Sequence, residues 1–147
     1  MAWRPLPSPR ALKVLLTPVL LCLGAGALSS CATKSAVTAP GPQPTLSATT
    51  FTSYDGDHFP YQNWVPDREP TIVVIGFHGI AGASTDLRNL GEYLLEHLPG
   101  AAVYAPDLRG QGNDPDVSRR GDIGHPREWF NDAYTFTRLV RARHAGA

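Results

Sequence analysis

The sequence predicts an α/β fold: a β-hairpin followed by a βαβα run, in a sheet left incomplete. Three observations carry this expectation. Thr71-Ile72-Val73-Val74-Ile75 is a continuous β-branched run entered from Pro70 and left through Gly76, the composition of a strand buried on both faces in a parallel sheet. Leu87, Leu90, Leu94 and Leu98 recur at three- and four-residue steps between Ser84 and Pro99, which marks one face of a helix. A second apolar run, Ala101 to Ala105, follows at once, and strand, helix, strand at this spacing is a βαβ unit.

The elements follow in chain order. Arg4, Arg10 and Lys13 precede an apolar stretch from Val14 to Leu28, and no acid occurs before Asp55. The 15 residues of this stretch suit the about 7 to 15 of an export signal and fall short of the roughly 20 that span a bilayer. Leu28-Ser29-Ser30-Cys31 resembles the lipobox of bacterial lipoproteins. That resemblance implies a signal peptide over residues 1–30, cleavage before Cys31, and a lipid on its thiol that anchors the mature protein to a membrane. Ala32, where an Asp would retain the protein inside, implies the outer membrane of a Gram-negative envelope, on the periplasmic side. Cys22 lies in the removed segment, so the mature chain has no cysteine pair to form an internal disulfide.

Residues 31–45 read as the lipidated cysteine and a tether rich in Pro, Ser and Thr, with Pro40, Pro42 and Pro44. Residues 46–147 read as the folded part. Two β-like runs, LSATTFTSY and HFPYQNWV, flank Asp55-Gly56-Asp57, a turn tripeptide that makes a hairpin. After the βαβ unit, in which Ser84 or Asp86 is available as helix N-cap, comes a polar loop from Asp107 to about His125. Trp129, Ala133, Phe136 and Val140 then mark a second helix, running into Arg141, Arg143 and His144, cations suited to a helix C-terminus.

Charge and motifs exclude several functions. The three cations ahead of Cys31 leave 10 of the 13 Lys+Arg against 13 Asp+Glu in the mature part, so there is no basic footprint for nucleic acid. Gly76, Gly79 and Gly82 are spaced G-x-x-G-x-x-G, not the G-x-G-x-x-G of a dinucleotide site. Asp114, Asp116 and Asp122 lack the twelve-residue calcium-loop pattern. The expectation is therefore no metal and no cofactor.

The chemistry concentrates where the two strands end. Gly76-Phe77-His78-Gly79-Ile80-Ala81-Gly82 leaves the first, and Asp107-Leu108-Arg109-Gly110-Gln111-Gly112 leaves the second. This pair resembles the α/β-hydrolase superfamily, in particular its lysophospholipase and monoacylglycerol lipase-like, serine aminopeptidase S33-type group, over roughly residues 46–147. The resemblance implies the N-terminal half of an α/β-hydrolase fold acting on carboxylic esters of lipids. It implies an oxyanion hole at Gly79 and Ile80, with the Ile80 N–H as donor, because a tetrahedral intermediate places negative charge where a preoriented amide can meet it. His78, Asp107, Arg109, Gly110 and Gly112 are implied to be structural; in this fold the order along the chain is nucleophile, acid, histidine, so His78 is not the base. Gln111 stands where the family often has His.

The family's nucleophile elbow, G-x-S-x-G, is absent from the sequence; Gly82-Ala83-Ser84-Thr85-Asp86 lacks the last glycine and follows the wrong strand. The expectation is a lipid-anchored hydrolase truncated before its nucleophile and inactive alone, with the last strand's backbone edge exposed. Two alternatives stand beside it: a noncatalytic envelope lipoprotein that uses a shortened hydrolase-like fold for binding, and the same fold with peptidase, dehalogenase or epoxide hydrolase chemistry.

Overall fold

A computed structural model describes residues 41–122 and 124–147. The export signal, Cys31 and most of the tether lie outside these residues. Strands β1 (Thr45–Leu46), β2 (Thr50–Thr52), β3 (His58–Trp64), β4 (Ile72–Ile75) and β5 (Ala101–Pro106) form one sheet in the order β1-β2-β3-β5-β4. Helix α1 (Arg88–His97) joins β4 to β5, and α2 (Pro126–Arg143) follows the second loop. Single 3-10 turns occupy Ser84–Leu87 and Val117–Arg119.

The expected hairpin is present: β2 and β3 pair antiparallel with Thr52 opposite His58 and Phe51 opposite Phe59. The Ser53 N–H donates to the Asp57 carbonyl across the turn at 2.7 Å. β1 adds a third antiparallel strand with Thr45 opposite Thr52. The βαβ unit is also present, with β4 parallel to β5 in the register Val73 to Ala102.

Burial of the two parallel strands differs from expectation. All six residues of β5 are buried, whereas Ile72 is exposed and the rest of β4 is half-buried. The cause is strand order: β5 sits between β3 and β4, so the small residues Ala101, Ala102 and Ala105 occupy the centre of the sheet. Among the described residues the edge strands are β1 and β4, so on the parallel side the edge belongs to β4 and not to the last strand in sequence.

Alternation along β3 sends its side chains to opposite faces. Tyr61 meets Phe136 of α2 edge-on at 5.4 Å between ring centroids, and Phe51 meets the same ring at 4.8 Å. With Phe59, Tyr104 and Val140 these rings make the main core. Trp64, three residues after Tyr61, faces the other way, toward α1.

Helix α1 contacts the sheet differently from its leucine pattern. Leu90 and Leu98 are 42% and 40% exposed and Leu87 and Leu94 are half-buried; the buried residue of the helix is Gly91. The Trp64 indole fills the space over it, so that a Cβ at Gly91 would stand 2.2 Å from the ring. A large rigid ring against a bare backbone draws the contact to the glycine and leaves the leucines at its margin. Among the described residues no helix is long and apolar enough to cross a membrane.

Gly91→Ala gains helix propensity of about 1 kcal/mol but drives a methyl into the indole, and overpacking of this kind costs about 1 to 3 kcal/mol. At so short a distance the clash prevails. Urea denaturation of the variant is expected to show a lower midpoint than the parent protein.

Candidate active site

Because β4 and β5 are parallel, the loops that leave them emerge at the same edge of the sheet, where open α/β sheets place their ligands. The first loop, residues 76–83, contains a tight turn closed by the Gly82 N–H donating to the Gly79 carbonyl at 3.0 Å. Ala81 sits inside it at φ 63°, the left-handed region that a residue with a Cβ rarely occupies. Its N–H donates to Gln111 Oε1 at 2.8 Å, so a side chain from the second loop holds the turn. The Ile80 N–H donates to no group among the described residues, and Ile80 is 70% exposed.

His78 is buried beneath this turn. The Leu108 N–H donates to its Nε2 at 3.1 Å, and an N–H can only donate, so Nε2 is the acceptor and the ring proton sits on Nδ1. That proton goes to the Gly79 carbonyl at 2.8 Å. Nε2 also lies 3.9 Å from Asp107 Oδ1, but a nitrogen used as acceptor makes no ion pair there. His78 thus bridges the two loops.

Asp107 is 1% exposed and makes a second bridge. Its carboxylate accepts from the Ser84 N–H at 2.8 Å, the Ser84 hydroxyl at 3.1 Å and the Asn113 amide at 3.2 Å. Gly112, at φ 56°, brings its backbone so close that a Cβ would stand 2.2 Å from Asp107 Oδ1. Ser84 is therefore no N-cap: it lies inside the first turn, with its hydroxyl spent on Asp107. The capping position is Ala83, whose N–H donates to Asp86 Oδ2 at 3.0 Å.

Arg109 does not pair with Asp107. Its Nε and Nη2 form a two-pronged contact with Asp132 of α2 at 2.8 and 2.9 Å, while Nη1 and Nη2 reach Asp57 at 2.6 Å and Asp55 at 2.8 Å in the hairpin turn. Arg119 repeats the pattern against Asp57 and Asp114, and both guanidiniums lie within 5.3 Å of the centroid of the Phe59 ring. Gly110, at φ 73°, donates to Asp114 at 2.5 Å. The stretch read from sequence as a polar loop is thus largely buried from Asp107 to Gln111. Burial opposes ionisation of Asp114, but the Arg119 guanidinium and the Gly110 and Asp116 N–H groups outweigh it and hold that carboxyl below its usual range.

The two loops enclose an open cleft of about 560 Å³ lined by Ala81, Gly82, Thr85, Gln111, Asn113 and Arg120 among others. Gln111 Nε2 is buried there without a hydrogen-bond partner among the described residues. The structure brings Gly79, Ile80, His78, Asp107, Gly110 and Gly112 together at this edge, while Arg109 is directed away, toward α2 and the hairpin. Sequence reasoning missed Gln111 as the partner of Ala81, Ser84 as the partner of Asp107, and Asp132. Asp132 had a signal, since an acid on the same face as Phe136 must be paired when buried. Near the C-terminus, Arg143 donates to the Leu46 and Ser47 carbonyls and His144 Nε2 meets the Tyr104 hydroxyl at 2.7 Å. These side chains tie α2 to the sheet and do not simply face its own last carbonyls.

Strand order, parallel crossover and the two loops match part of an α/β-hydrolase fold. The chain resembles a thermostable carboxyl esterase from Bacillus coagulans solved with glycerol, at 24% identity and a TM-score of 0.54 over 70% of this chain and 33% of that one. It also resembles a soluble variant of monoglyceride lipase from Saccharomyces cerevisiae solved with a substrate analogue, at 20% identity and a TM-score of 0.51 over 71% of this chain and 35% of that one. The chain thus spans about a third of the length of each. No curated protein sequence matches it. The model of the serine aminopeptidase S33 family matches residues 68–147, more than half of the chain, and the chain belongs to that family. The resemblance read from the two motifs is borne out at the level of family and fold.

Asp114 sets an acid limit on the stability of this edge. Its carboxyl is held below the usual value in the folded state, so the stability it contributes is full above the unfolded value of about 3.9 and is lost as pH falls through the folded one. Urea midpoints measured from pH 6 to pH 2 are expected to fall with acid, and Asp114→Asn is expected to flatten that fall while lowering the midpoint at pH 6.

Proposed function

We propose that this chain is the front part of a lipid-anchored serine hydrolase acting on carboxylic esters, and that its own contribution to the chemistry is one half of an oxyanion hole. The observation that carries this reading is the turn at Gly79–Gly82. Its Ile80 N–H donates to no group among the described residues, Gly79 has open space where a Cβ would stand, and Gln111 pins the next residue from below. A preoriented donor of this kind is worth about 3 to 4 kcal/mol to an acyl-transfer transition state. His78 and Asp107 serve it by fixing the loop, and neither touches the reacting atoms.

A nucleophile would come from outside these residues. The open edge of β4 lies beside the turn, and a strand added parallel to it would deliver its C-terminal end next to the Ile80 N–H. A serine there would attack the ester carbonyl and form an acyl-enzyme while a histidine took its proton. The chain contains no G-x-S-x-G, so turnover by the chain alone is not expected. The substrate class is carboxylic esters of lipids, lysophospholipids or monoacylglycerols, in keeping with the esterase and the monoglyceride lipase that share the fold. A lipid on Cys31 would hold the protein at the periplasmic side of an outer membrane, beside such esters.

Two experiments test the reading. The purified chain is expected to show no p-nitrophenyl ester hydrolysis above background; turnover abolished by a serine-directed phosphonate would overturn the assignment, as would DNA beyond codon 147 with no G-x-S-x-G in any frame. Mass spectrometry of protein from bacterial membranes is expected to find a diacylglyceryl group on an N-terminal Cys31, lost with its membrane retention in Cys31→Ser. An unmodified Cys31 would remove the anchor from the proposal.

A further inference from the structure

Helix α2 packs one face on the sheet through Phe136, Val140 and the paired Asp132. Its opposite face carries Arg127, Phe130, Tyr134, Arg138 and Arg141, steps of three and four residues that align them along one stripe. All five are exposed, Phe130 by 74% and Tyr134 by 66%. No carboxylate comes within 4.0 Å of the three guanidiniums among the described residues. The acids of the helix turn elsewhere: Asp132 inward to Arg109, and Glu128 back to the His125 N–H. A stripe of cations and aromatics without acids stands out in a chain whose residues 31–147 carry 13 acids against 10 Lys+Arg.

The second observation is where the N-terminal segment joins the fold. Gln43 and Pro44 lie against this helix, lining with Tyr54, Tyr134, Arg138 and Ala142 a depression of about 490 Å³. The chain that leads back to Cys31 therefore meets the folded part beside the stripe.

We propose that this face of α2 is a docking surface for an anionic phospholipid bilayer. Guanidiniums make two-pronged contacts with phosphate oxygens, while aromatic rings favour the level of the headgroups. Each arginine near an anionic surface strengthens binding by about fivefold. The setting at a membrane rests on the proposed acylation of Cys31, but the face binds by its own side chains. Its effect would be to fix the orientation of a protein that the tether only holds nearby.

Tryptophan placed on the stripe tests this in the full-length chain. Phe130→Trp is compared with Tyr93→Trp, an exposed position on α1, which covers the other face of the sheet. Each signal is taken as the difference from the parent chain, in vesicles of phosphatidylglycerol with brominated phosphatidylcholine. Quenching at least twofold greater at position 130 than at position 93 is expected, together with its loss in Arg127→Gln/Arg138→Gln/Arg141→Gln or when phosphatidylglycerol is omitted. Equal quenching at both positions, or none at 130, overturns the proposal, as does a position-130 signal that changes with protein concentration in the absence of lipid, which would mark a second copy of the chain. If Cys31 proves unmodified, arginine-dependent quenching at 130 in added vesicles still supports the face. If Cys31 is acylated and the protein sits on vesicles without that quenching, the face alone fails.

Discussion

The candidate site depends on one buried carboxylate. Asp107 gathers the Ser84 N–H, the Ser84 hydroxyl and the Asn113 amide, and so joins the start of the helical segment after β4 to the loop after β5. A charge taken out of water persists only when its lone pairs are met by donors. Every residue around Asp107 follows from that demand: a small hydroxyl residue at 84, an amide at 113, and a glycine at 112 whose missing Cβ makes room for the oxygen. His78 presses from the other side and spends both ring nitrogens on backbone. With these contacts in place, the turn holding Ala81 at φ 63° has a rigid floor, and one hydrogen bond from Gln111 holds a conformation that costs about 1 to 2 kcal/mol in isolation.

The arginines do a different task. Arg109 and Arg119 collect carboxylates from the hairpin turn, the second loop and α2, with Phe59 beneath both. The two pairs with buried carboxylates, Arg109–Asp132 and Arg119–Asp114, gain little net stability over apolar residues of equal size, but losing one partner strands the other. Their value is geometric, since they fix three segments that have no hydrogen-bonded ladder in common. The Trp129 indole N–H, donating to the Arg109 carbonyl at 2.9 Å, ties the same loop to α2 a second time.

Much of this was legible in the sequence. The hairpin, the βαβ unit and the second helix follow from periodicity and turn residues, and the paired motifs located the edge where chemistry belongs. Strand order was not legible, because the β-branched run at 71–75 and the alanine-rich run at 101–105 carry no mark of which is central. Sheet position reversed the burial that composition suggested. The leucine stripe of α1 misled for a related reason: a side chain at Trp64, distant in sequence, selected Gly91 as the point of contact. Gln111, Ser84 and Asp132 act through partners 23 to 79 residues away, and no local pattern records such pairs.

The placement of β5 also governs how the molecule can come together. β3 and β4 are consecutive along the chain yet never touch; each is bonded only to β5 on the side where they would meet. The β1–β3 meander can close early, since its contacts are local. β4 has no strand to pair with until residues 101–106 take their place between it and β3. The assembly of this sheet is therefore gated by its most alanine-rich strand.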